Sequence, residues 1–249
     1  LRLEGVRKGW RSGERNLDVK VDTLVEKYPR LYHMAHEGAW PAIVEHGLLS
    51  VEALLDLYGI EGEEREAHFA RHRPEIVPLS ADGLPGAVLR DQKPMRDSAL
   101  EKCLEDGLQP SDWYRTLNSK SFFWLSRKRV WNLLDARAYR GRKQTVLTLD
   151  TAKLVDAYRD RILLSPMNSG STIYAPLPRG KSTFRRIEDF PFEERRKAGR
   201  GLYGNVVELL VESGVPDVSE YVLAVHEAEK DRLLGEVWRS VDATDEDHP

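Results

Sequence analysis

The sequence contains little cysteine, no long apolar run and no excess of positive charge. The single cysteine, Cys103, excludes an internal disulfide framework and favours a reducing, cytoplasmic setting. No stretch approaches the roughly 20 apolar residues that a membrane helix needs, and the polar, basic N-terminus predicts no secretory signal. A net charge of −3 provides no global basic field of the kind that many nucleic-acid-binding proteins carry. We therefore expect a cytoplasmic protein with no membrane span.

The sequence also lacks the motifs of several common enzyme sites. It has no GxxxxGKS/T phosphate loop, no GxGxxG after a strand, no GxSxG elbow and no HExxH. With one cysteine, a cysteine-based zinc site is excluded. His33 and His36 lie three residues apart in a predicted strand, so they point to opposite faces and cannot chelate one ion. We predict no metal site.

What the sequence does contain indicates a globular protein with one main domain. Of the 249 residues, 41% are hydrophobic and 32% are charged, which suits a sizeable core under a charged surface. We predict a helical extension over 1–30, one domain over 31–241 and an acidic tail over 242–249. Short strands and helices alternate irregularly, which favours an α+β fold over a doubly wound parallel sheet.

The predicted elements follow from apolar periodicity, caps and turn residues. The predicted strands are 31–36, 121–125, 145–149, 162–164, 206–211 and 221–225. The predicted helices are 19–28, 41–47, 51–58, 63–71, 98–106, 111–117, 127–135, 151–158 and 230–241. Residues 168–186 are rich in Ser, Gly and Pro and are predicted to be a loop with one strand in it.

One acidic residue stands out in an apolar strand near the end of the chain. Glu208 lies within the run Val206 to Val211, whose other five residues are all apolar. An ionised carboxylate at such a position is costly unless it is paired or opens into a cleft. A functional carboxylate, a solvent-facing edge residue and an arginine-paired residue all fit this pattern.

Positive charge is concentrated in two stretches that could meet phosphates. The first holds Arg127, Lys128, Arg129, Arg137, Arg140, Arg142 and Lys143, and the second holds Arg185, Arg186, Arg195, Arg196, Lys197 and Arg200. Solvated helix faces and loops explain both stretches equally well.

Three segments resemble the DarT-type DNA ADP-ribosyltransferase toxins. The segment 31–50, LYHMAHEGAWPAIVEHGLLS, resembles their opening strand and the short helix that follows it, with Tyr32, His36, Ile43, His46, Gly47 and Leu48 on the pattern. The run VVELLVESGVPDVSEYV resembles the segment with their catalytic glutamate, and SFFWLS at 121–126 resembles the central strand. The order of histidine, aromatic strand and glutamate is that of the histidine–tyrosine–glutamate branch of ADP-ribosyltransferases. The resemblance implies a split mixed β-sheet with flanking helices.

The resemblance also implies a substrate and a set of roles. NAD would be the substrate, and Glu208 would be the catalytic carboxylate. His36 and Tyr32 would contact the cofactor, and Phe123 or Trp124 would stack on nicotinamide. Arg73 and Arg90 are the candidates for meeting the pyrophosphate or the acceptor. Structural roles stay open for each: His36 can bond backbone, the aromatic residues can be core, and both arginines can be structural.

The chain departs from the DarT pattern at two places that concern the substrate. Gly38 and Ala39 stand where these toxins have Asp-Asn, so a nicotinamide or ribose contact is lost or moved. Val206 stands where arginine-modifying relatives have Glu or Gln, which argues against arginine as the acceptor. Nucleic acid is the expected acceptor, and an antitoxin or immunity protein is a candidate partner.

The chain also resembles an uncharacterised bacterial domain family. The shared stretches are Arg-Asp-Gln-Lys-Pro, here Arg90–Pro94, and Asn-Ser-Gly, here Asn168–Gly170. Two further functions therefore stay open beside the transferase. One is a nucleotide or nucleic-acid binding module without turnover, and the other is an RNA-end phosphotransferase that uses arginines and a histidine and does not depend on Glu208.

Overall fold

The computed structural model describes residues 12–173, 176–195 and 206–249, with side chains described from residue 20 onward except at 194 and 195. The helices are α1 (Ser12–Lys27), α2 (Trp40–His46), α3 (Val51–Leu57), α4 (Gly62–Ala70), α5 (Asp97–Leu100), α6 (Pro110–Asn118), α7 (Arg127–Leu134), α8 (Thr151–Tyr158) and α9 (Phe192–Arg195). The strands are β1 (Arg30–His36), β2 (Leu48–Leu49), β3 (Val77–Leu79), β4 (Ala87–Leu89), β5 (Lys120–Trp124), β6 (Gln144–Asp150), β7 (Ile162–Ser165), β8 (Glu208–Glu212), β9 (Gly214–Val215), β10 (Val222–Glu229) and β11 (Arg232–Arg239).

The fold is α+β, as predicted, with a seven-stranded sheet flanked by helices. The strand order is β11-β10-β6-β1-β5-β8-β7, and two short ribbons, β2 with β9 and β3 with β4, lie beside it. Every strand pair in the large sheet is antiparallel, whereas the resemblance implies a mixed sheet.

The sheet is split between β1 and β5. β1 pairs with β6 along its whole length, from Arg30 to His36, but its pairing with β5 is confined to Tyr32 opposite Trp124. Beyond that pair, side chains form hydrogen bonds with backbone carbonyl groups that a continuous β-ladder would pair with backbone N–H groups. His33 Nδ1 lies 2.8 Å from the Phe122 carbonyl oxygen. Arg90 Nη1 donates to the carbonyl of Met34, the residue after His33, at 2.7 Å. The split therefore creates an opening within the sheet.

Alternation along the strands divides the core into two faces. On one face, Leu31 of β1 and Phe123 of β5 join the large cluster that also contains Leu24 of α1. On the other face, Tyr32 and Met34 pack with Val130 and Leu134 of α7 in a second cluster. Neighbouring residues of β1 thus pack in different hydrophobic clusters on opposite faces of the sheet.

The C-terminal hairpin corrects one prediction. A helix was expected over 230–241, but Arg232–Arg239 forms β11, which pairs with β10. The apolar residues there, Leu233, Leu234, Val237 and Trp238, satisfy a helical spacing on the sequence alone. Lys230 has φ of 56°, and this left-handed residue turns the chain back so that Glu229 faces Arg232. Tertiary pairing therefore overrides the helical pattern.

Two helices before β5 and the loop 168–186 correct three further predictions. The helix expected over 98–106 is only Asp97–Leu100, because the chain leaves it so that Leu104 bridges to Arg179. The helix expected over 111–117 begins one residue earlier, at Pro110, because Gln109 is its cap, and Asp112 completes a capping box from the third helical position. Of the loop 168–186, the described residues form isolated bridges and no strand.

Both ends of the described chain pack onto the sheet. Leu24 of α1 is fully buried in the large cluster. Asp247 lies in the segment predicted as an acidic tail, and it is buried and bonded to Arg30 at the start of β1. Arg127 of α7 donates to the carbonyls of Glu246 and His248. Within the described residues, no helix has the length and apolarity to cross a membrane.

Candidate functional site

A cavity of about 400 Å³ lies at the opening between β1 and β5. The second half of β1, the whole of β5, helices α2 and α3, and the segment from Gly86 to Gln92 all contribute lining residues. Its lining includes six of the seven residues predicted for the site: Glu208, Arg73, Arg90, His36, Phe123 and Trp124. The seventh, Tyr32, does not line it.

Glu208 begins β8, a strand that lies between β5 and β7. It is therefore not a residue of an edge strand, and it is only 3% exposed. Across the sheet it stands opposite Trp124 on one side and Ser165 on the other, so these side chains share a face. Within the described residues, no lysine or arginine lies within ion-pair distance of Glu208. Both the edge-strand and the arginine-pair interpretations are therefore excluded for this part of the chain.

The carboxylate of Glu208 is bound by one serine. Ser169 donates its backbone N–H to the two carboxylate oxygens at 3.2 and 3.1 Å, and its Oγ donates to Oε2 at 2.7 Å. Burial raises the pKa of Glu208 to about 7, and the hydrogen bonds from Ser169, the charge of Arg129 and the Ser165 side chain oppose that rise. Glu208 is therefore a carboxyl group that gains and loses its proton near neutral pH.

Sequence reasoning missed Ser169 as a site residue, although the signal was present. Ser169 is the central residue of the Asn-Ser-Gly stretch shared with the uncharacterised family, and its neighbours Asn168 and Gly170 line the cavity. The other shared stretch lies on the same cavity, where Arg90, Asp91, Gln92 and Pro94 are lining residues. Treating the two stretches as parts of one site would have identified this loop.

Trp124 and Phe123 differ in the face of the sheet that they occupy. Trp124 packs beside the α7 cluster on the face that Glu208 shares. Phe123 is 1% exposed in the large cluster, and its ring lies 5.9 Å from that of His33. Of the two predicted aromatic contacts, Trp124 is thus the one on the side of the carboxylate.

His36 and Tyr32 belong to β1 but lie in different surroundings. His36 ends β1, is partly buried and has Nδ1 2.9 Å from the carbonyl oxygen of Glu37. Tyr32 is 5% exposed and packs in the α7 cluster. The structure therefore brings His36 to the cavity wall and keeps Tyr32 in the core beneath it.

Arg73 is buried and bonded within the fold. Its guanidinium donates to the carbonyls of His68 and Arg90 and to Asn118 Oδ1, the last at 2.9 Å. Burial lowers its pKa to about 10, so it stays charged at neutral pH. These contacts tie α4, the segment after β4 and the end of α6 together, which is a structural role.

Arg90 occupies the junction between the cavity and a second, more polar hollow. It donates to Met34, and its guanidinium lies 5.0 Å from the centre of the Tyr139 ring. Burial lowers its pKa, and Asp91, which accepts from the Tyr139 hydroxyl at 3.0 Å, opposes that effect. The second hollow has a volume of about 580 Å³, and Arg90, His36, Arg142, Lys143 and Gln144 are among its lining residues. Arg90 is therefore placed to meet a ligand that spans both spaces.

Only part of the two basic stretches lies in the described residues. In the first, Lys143 pairs with Glu37, Arg140 pairs with Asp135, and Arg142 lines the polar hollow. In the second, Arg186 pairs with Glu212. The side chain of Arg195 and residues 196–200 lie outside the described part. For metals, no group of three or more His, Cys, Asp and Glu within 12–173, 176–195 and 206–249 is placed to hold an ion.

The fold and the cavity define an α+β protein with a buried carboxylate at the opening of a split antiparallel sheet. The chain belongs to the DUF7002 family, a family of unknown function, whose model matches residues 29–222. That range contains the cavity and all seven residues predicted for the site. No curated protein matches the chain.

Proposed function

We propose that this protein is an NAD-dependent ADP-ribosyltransferase that breaks the nicotinamide–ribose bond and transfers ADP-ribose to a macromolecular acceptor. The observation that supports the proposal best is the placement of Glu208. It is a buried carboxyl on the wall of a cavity in a split sheet, and His36 and Trp124 from the two strands at the split line the same cavity. The resemblance to DarT-type toxins, which have this order of residues, agrees with that placement.

Cleavage of the nicotinamide–ribose bond is favoured by a fixed negative charge beside the reacting ribose. As the bond to nicotinamide breaks, its electron pair leaves with nicotinamide and positive charge develops on the ribose, as in other glycosyl transfers. An ionised Glu208 would stabilise that charge, because a carboxylate held in place in a buried site needs little reorganisation. As the acceptor bonds to the ribose carbon it loses a proton, and a carboxylate with a pKa of about 7 suits the acceptance of that proton.

The other lining residues would position NAD around Glu208. Trp124 would stack on nicotinamide, because its ring shares a face with Glu208. Arg90 would meet the pyrophosphate from the junction of the two hollows. His36 would bind the adenosine-side ribose. Arg73 would stabilise the segments that form the site and would not bind NAD, since it donates hydrogen bonds to His68, Arg90 and Asn118.

The acceptor and the biological setting are carried over from the resemblance. We propose nucleic acid as the acceptor, and a toxin role in the cytoplasm with an antitoxin or immunity protein as partner. Val206 precedes Glu208 by two residues, and this argues against arginine side chains as acceptors.

A binding module without turnover is the second candidate, and one observation favours it. Both oxygens of Glu208 are engaged by Ser169, so part of the bonding capacity of the carboxylate is already used. An RNA-end phosphotransferase is less favoured, since it needs several arginines available for phosphate and the guanidinium of Arg73 is bonded within the fold.

The test is release of nicotinamide and transfer of label from NAD. Purified protein would be mixed with labelled NAD and, separately, single-stranded DNA, double-stranded DNA, RNA and cell-extract protein. We expect nicotinamide release with a labelled nucleic acid, and a loss of at least a hundredfold in Glu208→Gln, which keeps the shape but not the charge.

Glu212→Gln is the matched control. Glu212 lies on the same strand and face, but it pairs with Arg186 and does not line the cavity. We expect it to keep full activity. NAD binding without release would favour the binding module. No binding of NAD at millimolar concentration by folded protein would reject the transferase and leave a module that binds nucleic acid or another nucleotide.

A further inference from the structure

The carboxylate of Glu208 is hydrogen-bonded by a loop. The charge of Arg129 also favours its ionised form, but no lysine or arginine of the described residues lies within ion-pair distance of it. Ser169 supplies two donors to it, the backbone N–H and the hydroxyl, and the hydroxyl contact of 2.7 Å is the shortest. The side chain of Ser169 is completely buried. A buried hydroxyl that bonds one carboxylate so closely leaves that carboxylate little freedom to turn.

The loop is in turn fixed from its other side. The carbonyl of Ser169 accepts from Arg179 Nη1 at 3.0 Å and from Trp113 Nε1 at 3.4 Å. Arg179 is 2% exposed, and its guanidinium lies 5.8 Å from the centre of the Trp113 ring. The backbone of Arg179 is tied to Cys103, so the guanidinium has a rigid base. Ser169 therefore connects a buried cation to a buried carboxylate that do not touch.

The hydrogen bonds of Ser169 offset part of the free energy needed to bury the charges of Glu208 and Arg179. Within the described residues, no carboxylate lies within ion-pair distance of Arg179, and the negative charge of Glu208 raises the pKa that burial of Arg179 lowers. A buried charge is tolerated only when hydrogen bonds or an opposite charge compensate it. Ser169 contributes to both compensations, with its carbonyl turned to Arg179 and its donors turned to Glu208. The Leu177 carbonyl and Cys103 also favour the charge of Arg179, and Arg129 and the Ser165 side chain also favour the charge of Glu208.

We propose that Ser169 is a positioning residue for Glu208, and that Arg179 and Trp113 act through it to hold the carboxylate ionised and aimed along the cavity wall. The inference rests on the proposed function, since it assigns to the loop the task of preparing the proposed catalytic carboxylate. Asn168 and Gly170, on either side of Ser169, line the cavity. We call Ser169, Arg179 and Trp113 together the clamp. Because its central residue lies between two lining residues, the clamp is part of the site.

The first measurement is the titration of Glu208 itself. Glutamate labelled with ¹³C at the side-chain carboxyl would be followed by NMR from pH 4 to pH 10, and Glu208→Gln would assign the signal. The Ser169 hydroxyl bonds the charged form of Glu208, so losing it in Ser169→Ala should raise the midpoint of Glu208 by about 1 pH unit or more.

Thr172→Val is the matched control. Thr172 is buried nearby, and its hydroxyl donates to Pro94 and accepts from the backbone of Arg96, with no contact to Glu208. The variant also loses one buried hydroxyl, but it should leave the midpoint of Glu208 in place. In the nicotinamide-release assay, the acid limb of the pH profile should move with the titration in Ser169→Ala. There kcat should fall and the KM for NAD should stay constant.

If Ser169→Ala does not fold, the hydrogen bond between Ser169 and Glu208 can still be tested by NMR in the unsubstituted protein. The amide ¹⁵N signal of Ser169 should titrate with the same midpoint as the carboxyl of Glu208, and this titration should vanish in Glu208→Gln. A midpoint in Ser169→Ala equal to the original, or an amide signal that does not follow Glu208, overturns the clamp. Absence of nicotinamide release from any form would instead reject the proposed function, while the titrations would still judge the clamp.

Discussion

Two titratable residues, the buried Glu208 and the half-buried His33, make folding depend on pH in opposite directions. Burial raises the pKa of Glu208 from 4.5 to about 7, so between these values the folded protein holds a proton that the unfolded chain has lost. Burial lowers the pKa of His33 from 6.5 to about 4, so between those values the folded protein lacks a proton that the unfolded chain binds. Stability therefore falls with rising pH because of Glu208 and falls with decreasing pH because of His33.

Glu208→Gln should remove the first dependence. Relative to the unsubstituted protein, the free energy of unfolding of the variant should rise by on the order of 2 kcal/mol between pH 5 and pH 8, because the ionised carboxylate is costly only above its unfolded pKa. Urea unfolding followed by circular dichroism at the two pH values measures this. A difference that stays constant from pH 5 to pH 8 would contradict the raised pKa.

His33→Gln should remove the second dependence, with the opposite sign. The substitution loses ring packing on Phe123, so the variant is less stable at pH 7. As pH falls from 7 to 5, that deficit should shrink by about 1–2 kcal/mol, since the unsubstituted protein then loses the stability of its neutral histidine. The same unfolding experiment measures it. A deficit that grows on acidification would show that His33 gains a stabilising charge.

The β2–β9 ribbon depends on glycine at a close approach between two segments. Gly47 has φ of 83° and ψ of 177°, a conformation open almost only to glycine, and it ends α2 by donating its N–H to Ile43. The positive φ agrees with a glycine cap at the end of α2. A Cβ at Gly47 would overlap the backbone of Pro216.

Gly47→Ala should therefore destabilise the protein by more than about 3 kcal/mol, since it adds a backbone clash to an unfavourable conformation. Gly59→Ala is the control, because Gly59 also has a positive φ, 66°, but a Cβ added there would meet no atom within 4 Å. We expect it to cost about 1 kcal/mol. Melting temperatures of the two variants measure the contrast, and equal losses would mean that the approach of Pro216 can relax.

The C-terminal segment contributes to the stability of the whole molecule. Asp247 accepts hydrogen bonds from Arg30 and from the backbone and hydroxyl of Thr244. Burial opposes ionisation of Asp247, but these hydrogen bonds outweigh it and lower the pKa of the carboxyl. The contribution is therefore present at neutral pH and is lost as the pH falls through the lowered pKa.

Asp247→Asn should lower the free energy of unfolding by on the order of 2 kcal/mol at pH 7, because it removes the buried carboxylate from Arg30 and leaves it only the longer contact of 3.8 Å to Asp150. Asp245→Asn, two residues earlier, is the matched control, because Asp245 is fully exposed. We expect no measurable change from it. Chemical unfolding of both variants tests the prediction, and equal stability of the two would mean that the segment 240–249 is not held by Asp247.

The sequence predicted most strands and helices because their signals are local. Ser50 precedes α3 and accepts from the N–H of Ala53, as its position before an apolar helical run indicates. The apolar runs of β1, β5, β6 and β7 likewise identify buried strands without knowledge of their partners. The prediction failed at β11, where a turn at Lys230 and the neighbouring β10 decide the conformation.

The sequence predicted several residues that line the candidate site, but it did not predict the contacts between them. The apolar setting of Glu208 in the sequence already identified it as an unusual carboxyl. Its partner Ser169 is 39 residues away in the chain, inside a loop with no periodic pattern. Arg73 and Arg90 were predicted as a pair of equal candidates, and only their contacts distinguish the arginine bonded within the fold from the one at the junction of two hollows.

The sequence by itself determined the α+β class, most strands and helices, and the residue types available for chemistry, because apolar periodicity, caps and composition act over a few neighbouring residues. The tertiary structure alone decided that β1 and β5 separate after Tyr32 and Trp124, and that Phe123 and Trp124 serve opposite faces of the sheet there. It also decided which serine binds Glu208. These features depend on pairing and packing between segments far apart in the chain, and the free energies of such contacts are not encoded in any short stretch of residues.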